Sequence, residues 1–171
     1  YPFDQGNYWS NETYFFGHAA SPTSLNSRDK RIWENAWYAI RVANLALAKL
    51  EEDGLFSGTD EEKNHLKGQA LFFRGWFYFE ICRFWGGMPY IQKVIDPVED
   101  MFSEEYSRLN FKETALKMAE DFRAAADILP NHWDFSEPGQ ATKGHNRDRI
   151  NKFHALGYLG KAYLFAASPM I

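Results

Sequence analysis

The stretch RGWFYFEICRFWGGMPY, residues 74–90, constrains the fold of this chain more than any other feature of the sequence. At about 100° per residue, its aromatic side chains spread around almost the whole circumference of a helix. Either glycine after Trp85 can close that helix in a left-handed conformation, and Pro89 prevents its continuation. A helix that is apolar all round is buried on more than one side. The stretch therefore predicts an inner helix of a layered helical domain, with its rings mainly in the core.

Hydrophobic periodicity predicts four helices. They are expected over about residues 28–50, 59–85, 110–130 and 151–168. The second and third begin with capping boxes, Thr59 with Glu62 and Asn110 with Glu113. Because a short turn joins the first two helices, we expect an antiparallel hairpin there and a second hairpin from the last two. No alternating strand pattern exceeds a few residues, and residues 88–95 are the best extended candidate.

Two of these helices have a clear apolar stripe. In the first helix it consists of Trp33, Trp37, Ile40, Asn44 and Leu47. In the third it consists of Phe111, Ala115, Met118, Phe122, Ala126 and Leu129. The other positions of the third helix indicate a surface helix; they are Lys112, Lys117, Glu120, Asp121 and Arg123. The amide of Asn44 is expected to fix helix register through a cross-helix hydrogen bond, with ligand contact as the alternative.

The predicted fold class is mostly α, with tetratricopeptide-like helical hairpins and long loop excursions. Residues 1–171 are expected to form a single domain that is a portion of a longer polypeptide. Its predicted parts are an irregular aromatic-rich segment (1–27), a first hairpin (28–85), a loop (86–109) and a second hairpin (110–169). Connections as long as 86–109 and 130–149 are usually functional or disordered.

Charge and motifs exclude several classes of function. The net charge is −4 and no cluster of Lys and Arg is present, which argues against nucleic-acid binding and against an anionic membrane surface. The single cysteine, Cys82, allows no intrachain disulfide and is expected to be a small buried hydrophobe. Nucleophile, metal and phosphate motifs are absent, and the adjacent acids lie at turns and helix starts, where capping and solvation explain them. We therefore predict no catalytic residue, no metal site, no cofactor and no enzymatic activity.

The N-terminal segment YPFDQGNYWSNETYFFGHAASPTSLNS combines many rings with carboxylates and amides, without a helical or strand period. Such a combination suits sugars, whose C–H faces stack on rings while their hydroxyls bind polar groups. The predicted ligand residues are Trp9 as the stacking ring, Tyr8 and Tyr14 as secondary rings, and Asp4 and Asn11 as hydroxyl partners. Trp133, flanked by His132 and Asp134, is the next candidate. Packing of these rings within the loop is the open alternative.

Four blocks of the chain resemble the SusD/RagB family. HLKGQALFFRGWFYFEICRFWGGMPYI is similar to that family's signature helix with its Trp-Gly-Gly-x-Pro turn, and IWENAWYAIRVANLAL is similar to the helix before it. YSRLNFKETALKMAEDFRAAADILP and INKFHALGYLGKAYLFAASP are similar to the two helices that follow. The blocks occur in the family's order and together cover most of residues 28–169.

The resemblance implies a surface-exposed outer-membrane lipoprotein of a Bacteroidetes-type bacterium, anchored by a lipid outside this chain. It implies capture of oligo- or polysaccharides and their delivery to a TonB-dependent transporter of the SusC type. The main alternative is a tetratricopeptide-like scaffold that binds protein partners only. An α-toroid glycoside hydrolase fragment is disfavoured, because the chain is short and its acids are misplaced.

Overall fold

The computed structural model describes residues 27–168, without residues 53, 97, 101 and 102, and side chains from residue 33 onward. Four α-helices account for most of this part of the chain: α1 (Ser27–Glu51), α2 (Asp60–Trp85), α3 (Phe111–Ile128) and α4 (Lys152–Ala166). Short 3₁₀ helices occupy Glu104–Tyr106, Trp133–Phe135 and Glu137–Thr142. Among the described residues there is no strand, so the predicted mostly α fold is confirmed. None of the described helices combines the length and the hydropathy needed to cross a membrane.

The helices α1 and α2 form an antiparallel hairpin. The end of α1 meets the start of α2, where Nζ of Lys67 donates to Glu51 at 2.6 Å. The start of α1 meets the end of α2, where the rings of Trp33 and Trp85 lie 5.0 Å apart. The hairpin therefore joins the two helices along their whole length, as the short turn between them predicted.

The later helices add to this hairpin in sequence order, α3 on α2 and α4 on α3. Glycines of α2 permit a close approach of α3, because a Cβ on Gly68 would lie 2.8 Å from Leu129 and one on Gly75 would lie 3.1 Å from Phe122. The ring of Phe122 in turn lies 5.5 Å from that of Tyr158 in α4. The structure is thus a row of antiparallel neighbours with α2 in its interior.

Most rings of α2 contribute to the core, and the helix is buried on more than one side. Phe72, Tyr78 and Phe79 are at most 5% exposed, whereas Phe73 is 41% exposed. Trp76 is half-buried, and its indole N–H donates to the hydroxyl of Tyr158 at 3.0 Å. The predicted core role of these aromatic side chains is confirmed, with Phe73 at the surface.

The two glycines after α2 have different structural roles. Gly86 caps the helix with a φ of +77° and a ψ of −153°, a positive-φ conformation that glycine adopts without strain. Gly87 is needed for space, since a Cβ at this position would lie 2.3 Å from the carbonyl oxygen of Leu109. The pair therefore ends the helix and lets the chain before α3 cross directly over the turn.

The segment 88–93 forms no regular secondary structure, and side chains bind its backbone. The amide of Asn44 donates to the carbonyls of Ile91 and Lys93, both at 3.0 Å. The backbone N–H of Ile91 donates to the hydroxyl of Tyr78 at 2.6 Å. Buried backbone groups need partners, and here the helices supply them.

The structure corrects one prediction about polar residues and confirms another. Asp121 is not a surface residue of α3: it is 2% exposed and pairs with Arg74 of α2, so it faces the interior. Asn44 does make the predicted cross-helix bond, because its Oδ1 accepts from Nη1 of Arg74 at 2.8 Å. Its amide nitrogen binds loop carbonyls in addition, which helix periodicity alone does not indicate.

Candidate functional site

Five of the six predicted ligand residues lie outside the described residues. They are Asp4, Tyr8, Trp9, Asn11 and Tyr14. Trp133 is the sixth, and it lies on the connection between α3 and α4. The geometry of a candidate site can therefore be built from this connection and from the helix ends next to it.

Trp133 is buried, with 2% of its surface exposed. Its indole N–H donates to the carbonyl of Ile150 at 2.7 Å, and the guanidinium of Arg149 lies 3.7 Å from the centre of its ring. The imidazole of His65 packs edge-on at 5.1 Å. These contacts leave no free ring face for a sugar, so the structure places Trp133 in the packing of the connection and not on an exposed stacking surface.

The connection around Trp133 is compact, and its polar side chains hold it together. The carboxylate of Asp134 accepts from the amide of Asn146 at 2.6 Å and from the backbone N–H of Gly144 at 3.2 Å. The hydrogen bond from Asn146 lowers the pKa of Asp134, with the bond from Gly144 acting in the same direction. Asn146 is itself buried and also donates to the carbonyl of Gly139 at 3.0 Å. The connection is therefore a folded platform of defined shape.

An aromatic residue that the sequence analysis did not single out is exposed on this platform. Phe135 is 82% exposed, and its ring lies 5.1 Å from that of His132. Trp133 and Phe135 are two residues apart on one short 3₁₀ helix, which turns one ring inward and the other outward. That spacing was a signal in the sequence, but it does not indicate which of the two rings is buried.

Two concave regions border Trp133. The first, which we name the turn cavity, has a volume of about 340 Å³. It lies between the α1–α2 turn, the first turns of α2 and the α3–α4 connection, and its lining residues are Phe56, Ser57, Gly58, Glu62, His65, Leu66, Gln69, Trp133, Pro138 and Arg149. The second is smaller, about 180 Å³, and is bordered by polar groups that include His132 and Asp134.

A third concave region is an apolar groove on the outer face of the first hairpin, with a volume of about 400 Å³. Tyr38 and Val42 of α1 and Phe73 and Phe77 of α2 border it, together with alanines. Tyr38 is 69% exposed, and Phe73 and Val42 are more than 40% exposed. Apart from the hydroxyl of Tyr38, the side chains that line the groove are apolar, so its chemistry suits an apolar partner surface.

Several acidic residues at the ends of helices have structural partners. Glu62 and Glu113 complete the predicted capping boxes of α2 and α3. The pKa of Glu51 is lowered by its hydrogen bond with Lys67. Over residues 27–168, as far as they are described, no group of three or more His, Cys, Asp or Glu side chains comes together in a way that could hold a metal ion.

Comparisons with known proteins point to one family. Residues 3–164 match a SusD-like family described as starch-binding and associating with the outer membrane. A SusD superfamily protein from Bacteroides vulgatus has a similar structure, with a TM-score of 0.69, 22% identity, and coverage of 91% of this chain and 33% of its own. A SusD-like protein from Bacteroides fragilis is also similar, with a TM-score of 0.62 and 26% identity. The match covers 80% of this chain and 24% of the Bacteroides fragilis protein.

A laminarin-binding SusD-like protein is also similar in fold, with a TM-score of 0.59 and 19% identity over 78% of this chain. The chain spans about a quarter to a third of the length of these solved structures. No curated protein sequence matches it.

Proposed function

Because this chain belongs to the SusD-like family, described as starch-binding and associated with the outer membrane, we propose that it is a glycan-binding protein of the cell surface. The family match over residues 3–164 is the observation that carries this proposal. Two relatives in fold support it, a laminarin-binding SusD-like protein and surface glycan-binding protein A from Bacteroides uniformis. The ligand is an oligo- or polysaccharide, and the protein binds it without cleaving it.

The proposal extends to the cellular context that the SusD/RagB resemblance implies. The protein is held at the outer membrane through a lipid anchor outside this chain, and it delivers glycans to a SusC-like TonB-dependent transporter. Co-purification of the transporter with the affinity-tagged protein from its native membrane tests this partner. Recovery of the protein free of any such transporter under mild detergent would contradict it.

The ligand site is proposed in the N-terminal segment, with Trp9 stacking on the sugar, Tyr8 and Tyr14 beside it, and Asp4 and Asn11 binding hydroxyls. Its composition supports this assignment, since rings next to carboxylates and amides suit both the apolar and the polar parts of a sugar. The buried Trp133 is not part of this stacking surface.

Affinity electrophoresis of the 171-residue chain in gels that contain starch, laminarin or another polysaccharide tests the function. We expect at least one polysaccharide to retard the protein, and Trp9→Ala to remove the retardation while the melting temperature stays within a degree or so. Phe135→Ala is the matched control, an exposed ring outside the segment. A sharp fall in melting temperature for Trp9→Ala would place Trp9 in the core, and undiminished retardation would place the site elsewhere.

A scaffold that binds only protein partners is the second candidate, favoured by the apolar groove on the first hairpin. In that case no polysaccharide retards the chain, and a charge placed in the groove, as in Val42→Glu, disrupts partner binding. Release of reducing sugar by the pure protein, lost on mutation of one carboxylate, would instead indicate a hydrolase and would overturn both candidates.

A further inference from the structure

The apolar groove on the first hairpin brings exposed apolar side chains together in one concave surface. Tyr38 is 69% exposed, and Val42 and Phe73 are 44% and 41% exposed. Contiguous exposed apolar surface of this kind marks a place where another apolar surface packs. A cavity of about 150 Å³ holds one benzene molecule. The groove, at about 400 Å³, therefore has room for two phenyl rings.

The segment before α1 carries rings of the kind that this groove accepts. Seven aromatic residues lie within residues 1–16, and three of them, Phe3, Phe15 and Phe16, have no polar group. Tyrosine hydroxyls and the tryptophan N–H can bind the hydroxyls of a sugar, whereas a phenylalanine ring gains mainly from burial. Phe15 and Phe16 are adjacent in the chain and nearer to α1 than Phe3. They are therefore the best match to a groove with room for two rings.

The length of the connecting chain fits this pairing. At 1.5 Å per residue, Tyr38 and Val42 lie roughly 17 and 23 Å along the axis of α1 from its start at Ser27. Residues 17–26 join Phe16 to α1. A flexible linker of about ten residues has a root-mean-square length of roughly 17 Å, close to the span required. The effective concentration of a tethered group is then near its maximum, about millimolar, which favours this segment over a free partner.

We propose that the apolar groove is the docking site of the chain's own N-terminal segment, with the rings of Phe15 and Phe16 packed between α1 and α2. The segment is then attached to the first hairpin at a point C-terminal to Trp9 and Tyr14. This docking goes beyond the proposed function, because it needs only the groove and the two rings and takes place with or without a glycan.

NMR signals from the methyl groups of Val42 and Ala46, which border the groove, test the docking in the 171-residue chain. The variant Phe15→Ser/Phe16→Ser removes both rings, and Phe3→Ser is the matched control in the same segment. Because an aromatic ring shifts the signals of methyl groups packed against it, we expect both signals to move in the double variant and to stay in the control. Unchanged signals in the double variant overturn the docking. Equal changes in both variants overturn the assignment to Phe15 and Phe16.

A charge in the groove tests the same contact from the side of the hairpin. Val42→Glu should release the segment, and Leu164→Glu is the matched control at a 72% exposed leucine of α4. Chymotrypsin cuts after aromatic residues, and its rate at a docked site follows the fraction of molecules in which that site is released. We expect cleavage after Phe15 or Phe16, located by mass spectrometry, to be about 5–30-fold faster in Val42→Glu than in the control. Equal rates in the two variants overturn the docking.

The molar mass in solution separates the chain's own segment from that of a second copy. Light scattering at the concentration of the NMR sample should give the mass of one chain, 19.9 kDa, for the wild type and for the double variant. If the wild type is a dimer and the double variant a monomer, the rings fill the groove of a second copy, and docking within one chain is overturned.

Docking and glycan binding can fail separately. If Trp9→Ala loses polysaccharide retardation while the methyl signals of Val42 and Ala46 are the same in the wild type and the double variant, the docking fails and the function stands. If those signals move while no polysaccharide retards the chain, the docking stands without the function.

Discussion

Arg74 of α2 and Asp121 of α3 form a two-pronged ion pair in the interior of the protein. Nε of Arg74 lies 2.7 Å from Oδ2 of Asp121, and Nη2 lies 2.5 Å from Oδ1. The hydroxyl of Tyr90 donates to the same carboxylate at 2.7 Å, and Nη1 of Arg74 donates to Asn44 and to the carbonyl of Gln92. Both charges are therefore paired and hydrogen-bonded, as buried charges require.

Removing one partner of this pair leaves a buried charge without compensation. We expect Arg74→Met to lower the free energy of unfolding by about 3–5 kcal/mol, measured by urea denaturation. Arg83→Met is the control, since Arg83 pairs with Glu80 at the surface and is expected to change stability by less than about 1 kcal/mol. Similar decreases in the free energy of unfolding of the two variants would mean that the buried position of Arg74 adds nothing to its effect on stability.

Two glycines test the difference between a close backbone contact and open space. Gly87→Ala places a Cβ 2.3 Å from the carbonyl oxygen of Leu109 and is expected to cost about 1–3 kcal/mol. Gly157 lies inside α4 with no atom within 4 Å of its Cβ position, so Gly157→Ala is expected to raise the stability by about 0.5–1 kcal/mol. Thermal melts should show a lower melting temperature for Gly87→Ala and a higher one for Gly157→Ala. A higher melting temperature for Gly87→Ala would refute the close contact.

Cys82 is expected to resist alkylation in the folded protein. It is fully buried, and burial raises the pKa of its thiol to about 12. Because the thiolate is the reactive form, iodoacetamide at pH 8 should label it only when denaturant is added. Mass spectrometry of the reagent-treated native protein checks this, and rapid labelling without denaturant would show that α2 opens easily.

His65 should make the fold less stable in mild acid. Because its pKa is lowered in the folded state, its contribution is fully present above the unfolded value of about 6.5 and is lost as pH falls towards the folded pKa. The free energy of unfolding should therefore decrease between pH 7 and pH 5 by a larger amount in the wild type than in His65→Leu. The difference between the two proteins isolates the contribution of this one side chain. If the free energy of unfolding depended on pH identically in the two proteins, the lowered pKa of His65 would be contradicted.

The helices and their apolar faces could be predicted because they depend on local periodicity. The stripes of α1 and α3 read from the sequence include the buried Ile40, Met118 and Phe122. The buried role of Asp121 could not be predicted in this way, because it depends on Arg74, a partner 47 positions away in the chain. Periodicity assigns a charged residue to the surface unless its partner is known.

The candidate site was less accessible to sequence reasoning. Trp133 and Phe135 look alike as rings in a polar loop, but one is 2% and the other 82% exposed. What separates them is the backbone of a short 3₁₀ helix and the position of Arg149 over the indole. Likewise, the turn cavity forms where the α1–α2 turn meets the α3–α4 connection, and no local pattern brings His65 and Arg149 together.

The ion pair between Arg74 and Asp121 has a consequence for how the chain folds. In simple helical repeats each unit contacts only its neighbour, and units can unfold one at a time. Here one cluster joins Asn44 of α1, Arg74 of α2, Tyr90 of the first loop and Asp121 of α3. If either hairpin unfolded alone, Arg74 or Asp121 would lose its charged partner. A state with only one hairpin folded is therefore high in free energy. The two hairpins should therefore unfold as one cooperative unit, and their slowest-exchanging amide hydrogens should share a single opening free energy.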